Sequence, residues 1–249
     1  WIANTSNVAK REQRELLHDY VRVLIDTGAR PGKELLDLQW KNIRYRARWV
    51  NDPKQEIDDE GNITLITHEG FDDRGEALER VKFEATVSMA VNGKTDERIA
   101  NGFDATYAVL NEIIERNYHN SEITLKTLTE KNDEGYVFRT RSGKEPSSFN
   151  HLFDRYLEEH NLLNDRNTGK KRVFYSLRSA HATAVMNLDK VPIRDLSKQL
   201  GNSVEIIQKH YDRATGDAIV ENVRAPRARQ ALFNTDKVPE IYKSKKKKK

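Results

Sequence analysis

The sequence predicts a mostly α-helical protein of the α+β class with one small antiparallel sheet. Three observations predict it. Apolar residues recur at helical spacing in separate stretches, among them residues 8–26, 149–156 and 193–200. One stretch alternates strictly, with Val81, Phe83, Ala85, Val87, Met89 and Val91 set between Lys82, Glu84, Thr86, Ser88 and Ala90. That is the period of a half-buried strand. Asn92-Gly93 then ends it with the strongest short hairpin signal.

Each element follows in turn. The first helix covers residues 8–26, with Leu17, Tyr20, Val21 and Leu24 on one face. Thr27-Gly28-Ala29-Arg30-Pro31-Gly32 breaks it, and Pro31 opens a short helix through Leu35, Leu36 and Leu38. Trp40 and Ile43 are core anchors, and residues 44–50 read as a strand. Residues 51–80 form a charged, turn-rich insertion with an extra strand at 63–66. Lys94 falls at the hairpin tip, and Thr95 to Ile99 return. Asp104 caps a helix carrying Tyr107, Leu110 and Ile114, and residues 136–138 form a short strand. Ser147 or Ser148 caps a helix with Phe149, Leu152, Phe153 and Tyr156 at i, i+3, i+4 and i+7. A polar, basic loop covers residues 163–173.

The C-terminal run from Phe174 to Arg213 holds three short helical patterns. Leu177, Ala180, Ala184 and Leu188 form the apolar face of the first. Pro192 suits the first position of the second, where its missing N–H costs nothing. Ile193, Leu196 and Leu200 are that helix's apolar face, and Gly201 fits its C-terminus. Asn202, with Glu205 three residues on, suits the N-cap of the third, which carries Ile206, Ile207 and Tyr211. A further helical stretch is expected at residues 217–224.

Composition narrows the function. The chain has 249 residues and no cysteine, which excludes disulfides and thiolate metal sites. It begins at Trp1 rather than Met, so a fragment is expected. No apolar run approaches the ~20 residues of a membrane span, and no signal peptide is visible. The net charge of +4 is more than accounted for by the six lysines after Tyr242, and the remainder carries −2. Any nucleic-acid contact must therefore come from a local basic surface. Gly93-Lys94-Thr95 superficially matches the end of a P-loop, but Ser88 stands where that motif needs its first glycine and no helix follows directly.

Three boxes in order resemble the tyrosine recombinase, or phage integrase, family. Thr27-Gly28-Ala29-Arg30 with Glu34 and Leu35-Leu36-Asp37-Leu38-Gln39-Trp40 matches the first, although the arginine-to-glutamate spacing is four instead of the usual three. Lys94-Thr95-Asp96-Glu97-Arg98 loosely matches the hairpin lysine with its following basic residue. Tyr175-Ser176-Leu177-Arg178, Leu200-Gly201-Asn202 and Tyr211 match the C-terminal box. Tyr175 replaces the usual histidine, and Asn202 replaces a histidine or tryptophan.

The resemblance implies a helical catalytic domain over residues 1–218 with a small antiparallel sheet at one edge. It implies a C-terminal segment and basic tail over 219–249, and a separate N-terminal DNA-binding domain absent from this chain. It implies site-specific recombination of double-stranded DNA by a homo-tetramer, in the cytoplasm of a prokaryotic host and away from membranes. Tyr211 would form a covalent 3′-phosphotyrosine link, Arg30 and Arg178 would fork onto one phosphate, and Lys94 would protonate the leaving oxygen. The guanidinium charges would replace a divalent metal, so no metal, ATP or other cofactor is expected. Tyr175 and Asn202 keep a hydrogen-bond donor at their positions and lose an acid–base group.

Plainer readings stand beside these. Hairpin tips favour lysine for solubility, Asn202 also suits a helix cap, and tyrosines at helical spacing commonly pack in cores. His181 lies where the family carries an aromatic, so packing is its expected role. A DNA-binding protein of the same fold that does not cut, and a type IB topoisomerase, are the alternative functions.

Overall fold

The computed structural model describes residues 1–51, 55–57, 63–65, 70–71, 77–78, 81–92, 97–118, 122–187 and 191–211. Side chains between 49 and 82, and those of 187, 210 and 211, lie outside that description. So do the expected boundary at 218 and the segment 219–249.

The chain opens with helix α1 (Val8–Thr27), capped by the Asn7 side chain on Lys10 N at 3.0 Å. Gly28 ends it in the left-handed conformation, with its N–H on Leu24 O. Helix α2 (Lys33–Leu36) is a single turn, so Leu38 lies past its end yet is still buried. A short 3-10 turn at Trp40–Asn42 leads into strand β1 (Ile43–Asn51). The insertion holds two small ladders, β2 (Gln55–Ile57) with β3 (Ile63–Leu65), and β4 (Gly70–Phe71) with β5 (Ala77–Leu78). Strands β6 (Val81–Asn92) and β7 (Glu97–Gly102) complete a three-stranded antiparallel sheet in the order β1-β6-β7.

The sheet follows the alternation read from sequence. Ala85, Val87, Met89 and Val91 are buried while Thr86 is exposed. The register sets Ile43 opposite Met89, and Asn92 opposite Glu97. On the edge strand β1, Arg44, Arg46 and Arg48 all face outward and form an exposed basic row.

Five more helices follow α3 (Asp104–Asn117), namely α4 (Leu125–Glu130), α5 (Asn150–Glu159), α6 (Phe174–Asn187), α7 (Ile193–Leu200) and α8 (Val204–Tyr211). The main core gathers Leu16, Tyr20, Leu24, Leu35, Trp40, Ile43, Met89, Leu110, Ile113 and Phe138. Phe153 and Phe174 stack in it at 4.1 Å between centroids. A second, small apolar cluster of Ala182, Leu196, Leu200 and Ile207 joins α6, α7 and α8 to one another.

Several local expectations change. Asp104 is the first residue of α3 and its carboxylate accepts from Ala85 N at 2.5 Å, so it ties the helix to β6 instead of capping it. The cap comes from α1, where Asp26 accepts from Phe103 N, Thr106 N and Thr106 Oγ1. Residues 136–138 make one isolated bridge, Tyr136 with Gln39, and no strand. Helix α4, capped by Thr124 and Thr127 reciprocally, is an addition to the elements expected from sequence. On α6 the buried positions are Phe174, Arg178, His181 and Ala182, whereas Ala180 and Ala184 face outward. The inward face therefore carries two polar residues that a purely apolar pattern passes over.

A buried ion pair joins α1 to α3. Asp19, with 1% of its side chain exposed, accepts from Arg116 Nη2. Burial raises the Asp19 carboxyl above its ordinary value in spite of Arg116 beside it. A raised folded value means that this group's contribution to stability declines as pH climbs through the window above 3.8. Arg116→Met leaves that carboxylate unpaired and is expected to cost about 3–5 kcal/mol at pH 7. Urea denaturation at mildly acidic pH should show a smaller cost, because Asp19 can then take up a proton.

Candidate functional site

The first arginine box is held by its own backbone chemistry. Thr27 Oγ1 donates to Val23 O at 2.7 Å and accepts from Ala29 N at 3.1 Å. Gly28 adopts φ +63°, and a Cβ there would meet the His181 ring and stand 2.7 Å from Leu200 Cδ2. Glu34 is buried, and its Oε2 accepts from Arg30 N at 2.5 Å. Tyr20 Oη accepts from Gly32 N at 2.6 Å, and burial pushes its phenol up to about 12, so it stays neutral. The loop that presents Arg30 is thus fixed from both sides.

The C-terminal end of α7 is where distant parts of the chain meet. Arg98 Nη1 donates to Gln199 O at 2.6 Å, Arg178 Nη2 to Leu200 O at 2.6 Å, and Arg30 Nη2 to Gly201 O at 2.5 Å. Three guanidiniums from three separate segments take three successive carbonyls. The last carbonyls of a helix lack intrahelical donors and carry partial negative charge, which makes this end a natural seat for cations. Arg178 also donates from Nη1 to Gly28 O at 2.5 Å and is wholly buried. Gln199 Nε2 reaches Thr27 O at 2.9 Å and Asn101 O at 2.6 Å. Polar bonds therefore carry much of the attachment of α7 to the body.

The sequence-predicted residues divide accordingly. Arg30, Arg178 and Asn202 come together, with Asn202 Oδ1 accepting from Arg30 Nη2 at 3.2 Å. Asn202 is not the cap of α8, since Ser203 Oγ accepts from Ile206 N at 3.4 Å in that role. Tyr175 sits one turn before Arg178, 45% exposed, with its ring centroid 6.0 Å from the Arg178 guanidinium carbon. Tyr211 is the last residue of α8, and its side chain lies outside the described residues. Lys94 also lies outside them, between strands whose last pair is Asn92 with Glu97. His181 packs as expected, with Nδ1 2.8 Å from Ile25 O. Arg98 and Gln199 join the site without having been expected there. Arg98 does carry a sequence signal, as the basic residue following Lys94, whereas Gln199 carries none.

No protein-family model matches the chain, and no curated protein matches it by sequence. Solved structures do match. The XerH site-specific recombinase bound to difH substrate, in a pre-cleavage complex, aligns at TM-score 0.50 and 16% identity over 89% of this chain and 49% of that one. Its post-cleavage complex with palindromic difH substrate aligns at TM-score 0.51 and 14% identity over 91% and 49%. The Tn1549 transposon integrase in complex with circular intermediate DNA aligns at TM-score 0.46 and 14% identity over 88% and 64%. The chain spans about half the length of the XerH chains it matches. The two XerH alignments show the fold, a mostly helical tyrosine recombinase catalytic-domain architecture with a small antiparallel sheet.

The glycines flanking this junction are tightly fitted. Gly201 has φ +62°, and a Cβ there would stand 2.6 Å from Arg98 Cδ. Gly28→Ala and Gly201→Ala should each lower stability by about 2 kcal/mol or more, from backbone strain plus overpacking. Thermal melts of the two variants check this.

Proposed function

We propose that this chain cuts and rejoins double-stranded DNA through a covalent 3′-phosphotyrosine intermediate, as a site-specific recombinase of the integrase type. The observation that carries the reading is the convergence of Arg30, Arg178 and Asn202 at the Leu200-Gly201 turn. Phosphoryl transfer asks mainly for positioning and charge neutralisation, and this cluster offers both. The XerH structures, solved with DNA substrate, lend the fold-level support.

In the proposed reaction a scissile phosphate displaces the internal acceptors of Arg30, whose Nη2 is held by Gly201 O and Asn202 Oδ1. Arg30 then forks onto the phosphate oxygens. Arg178 supplies positive charge from beneath the turn, and its direct contact with phosphate requires exchange of Gly28 O or Leu200 O. Tyr211 Oη releases its proton to solvent and attacks phosphorus, the P–O bond to the 5′-oxygen breaks, and Lys94 gives that oxygen a proton. A 5′-hydroxyl reverses the step with the bond energy retained. Asn202 and Tyr175 donate hydrogen bonds to the phosphate without exchanging protons. The exposed row Arg44, Arg46 and Arg48 offers further positive charge for the backbone of the duplex. Assembly on paired sites is as a homo-tetramer.

A second reading keeps the phosphate grip and drops the cutting. Tyr175 in place of a histidine, Asn202 in place of a histidine or tryptophan, and the complete burial of Arg178 favour it. A nicked suicide duplex, recovered by selection from a random pool on this chain, separates the two. The first reading expects a covalent adduct that Tyr211→Phe abolishes and that Arg30→Ala slows by roughly 10²–10³-fold. Tight binding with no adduct from the unaltered chain rejects it in favour of the second. Replacing Arg44, Arg46 and Arg48 by Gln should flatten the slope of log K against log salt by up to about 0.9 for each phosphate that these arginines neutralise.

A further inference from the structure

Arg98 lies on β7 with 11% of its side chain exposed, at the same junction as Arg30 and Arg178. Its Nε donates to Glu34 Oε1 at 2.7 Å and its Nη1 to Gln199 O at 2.6 Å. The other oxygen of Glu34 accepts from Arg30 N at 2.5 Å. One buried carboxylate is therefore shared between the Arg98 side chain and the Arg30 backbone. The ideal Cβ position at Gly201 lies 2.6 Å from Arg98 Cδ and 3.7 Å from Arg30 Nη2, so both side chains rest on the same glycine.

We propose that Arg98 is a positioning residue for the phosphate pocket, setting Arg30 through Glu34 and setting the end of α7 through Gln199. The proposal rests on the phosphate-pocket reading above and adds a third arginine that acts through the first. The physical reason is twofold. A buried carboxylate holds its geometry only while its counter-charge is present, and Glu34 has 4% of its side chain exposed. A planar guanidinium can also serve two acceptors in fixed directions at once, which an ammonium cannot do with the same rigidity. Arg98 Nη2 is buried with no partner among the described residues.

The test uses the full chain and the selected duplex in two forms, one natural and one with a methylphosphonate at the cleaved link. The methylphosphonate removes the negative charge that Arg30 neutralises. Variants are Arg98→Gln, Arg98→Lys and the pair Glu34→Gln/Arg98→Gln, each checked for folding by circular dichroism. At saturating natural DNA, Arg98→Gln should form adduct about 10²-fold more slowly than the parent, while slowing less than about fivefold on the methylphosphonate. The double variant should recover about tenfold of that rate, because the buried charge leaves with its partner. Equal slowing on both duplexes, or none on the natural one, overturns the proposal. If Arg98→Gln does not fold, Arg98→Lys carries the same comparison. If the parent binds but forms no adduct, the recombinase reading fails alone. The readout then becomes the affinity difference between the two duplexes, which Arg98→Gln must abolish and whose persistence rejects the positioning role. A parent that does not distinguish the duplexes rejects pocket and proposal together.

Discussion

Helix α7 ends in three carbonyls that α-helical geometry leaves without internal donors, and the protein answers each with a guanidinium. Arg98 comes from the sheet, Arg178 from α6 and Arg30 from the loop after α1. The helix dipole favours cations at this end, and the carbonyls provide direction as well as charge. Much of the remaining architecture delivers these three side chains. Thr27 and Gly28 bend the chain after α1, Glu34 holds Arg30 N, and β7 carries Arg98 within reach. Gln199 closes the junction by bonding Thr27 O and Asn101 O.

The cluster has the character of an anion site filled by the protein's own atoms. Carbonyl oxygens stand where phosphate oxygens would be expected in the proposed reaction, and the Asn202 side chain contributes one of them. With Asn202 Oδ1 engaged by Arg30, its amide nitrogen remains the donor end. Tyr175 lies on the outer side, with a half-exposed ring near the Arg178 guanidinium. In the proposed reaction, exchange of internal for external acceptors would keep the guanidiniums of Arg30 and Arg178 hydrogen-bonded.

Helix α1 was legible in the sequence because it has a clear apolar face and a glycine stop, and β6 because its alternation is uninterrupted. Gly201 announced the end of α7 because a left-handed residue there needs no Cβ. The failures share a different cause, which is polar residues facing inward. Arg178 and His181 turn the α6 interior one step away from the alanine pattern. Asp26 caps α3 from a distant helix, which no local window contains. Asn202 has the chemistry of a cap and is spent on Arg30 instead. Arg98 and Gln199 act through contacts across the chain, so their role appears only once β7 and α7 are side by side.

The small apolar cluster that unites α6, α7 and α8 holds by a non-directional attraction. Hydrogen bonds to successive carbonyls are directional. One residue of rotation about the α7 axis, about 100°, would carry Gln199, Leu200 and Gly201 past all three guanidiniums together. The junction is thus indexed like a gear tooth, with the helix engaged in one rotational setting or disengaged from all three arms at once.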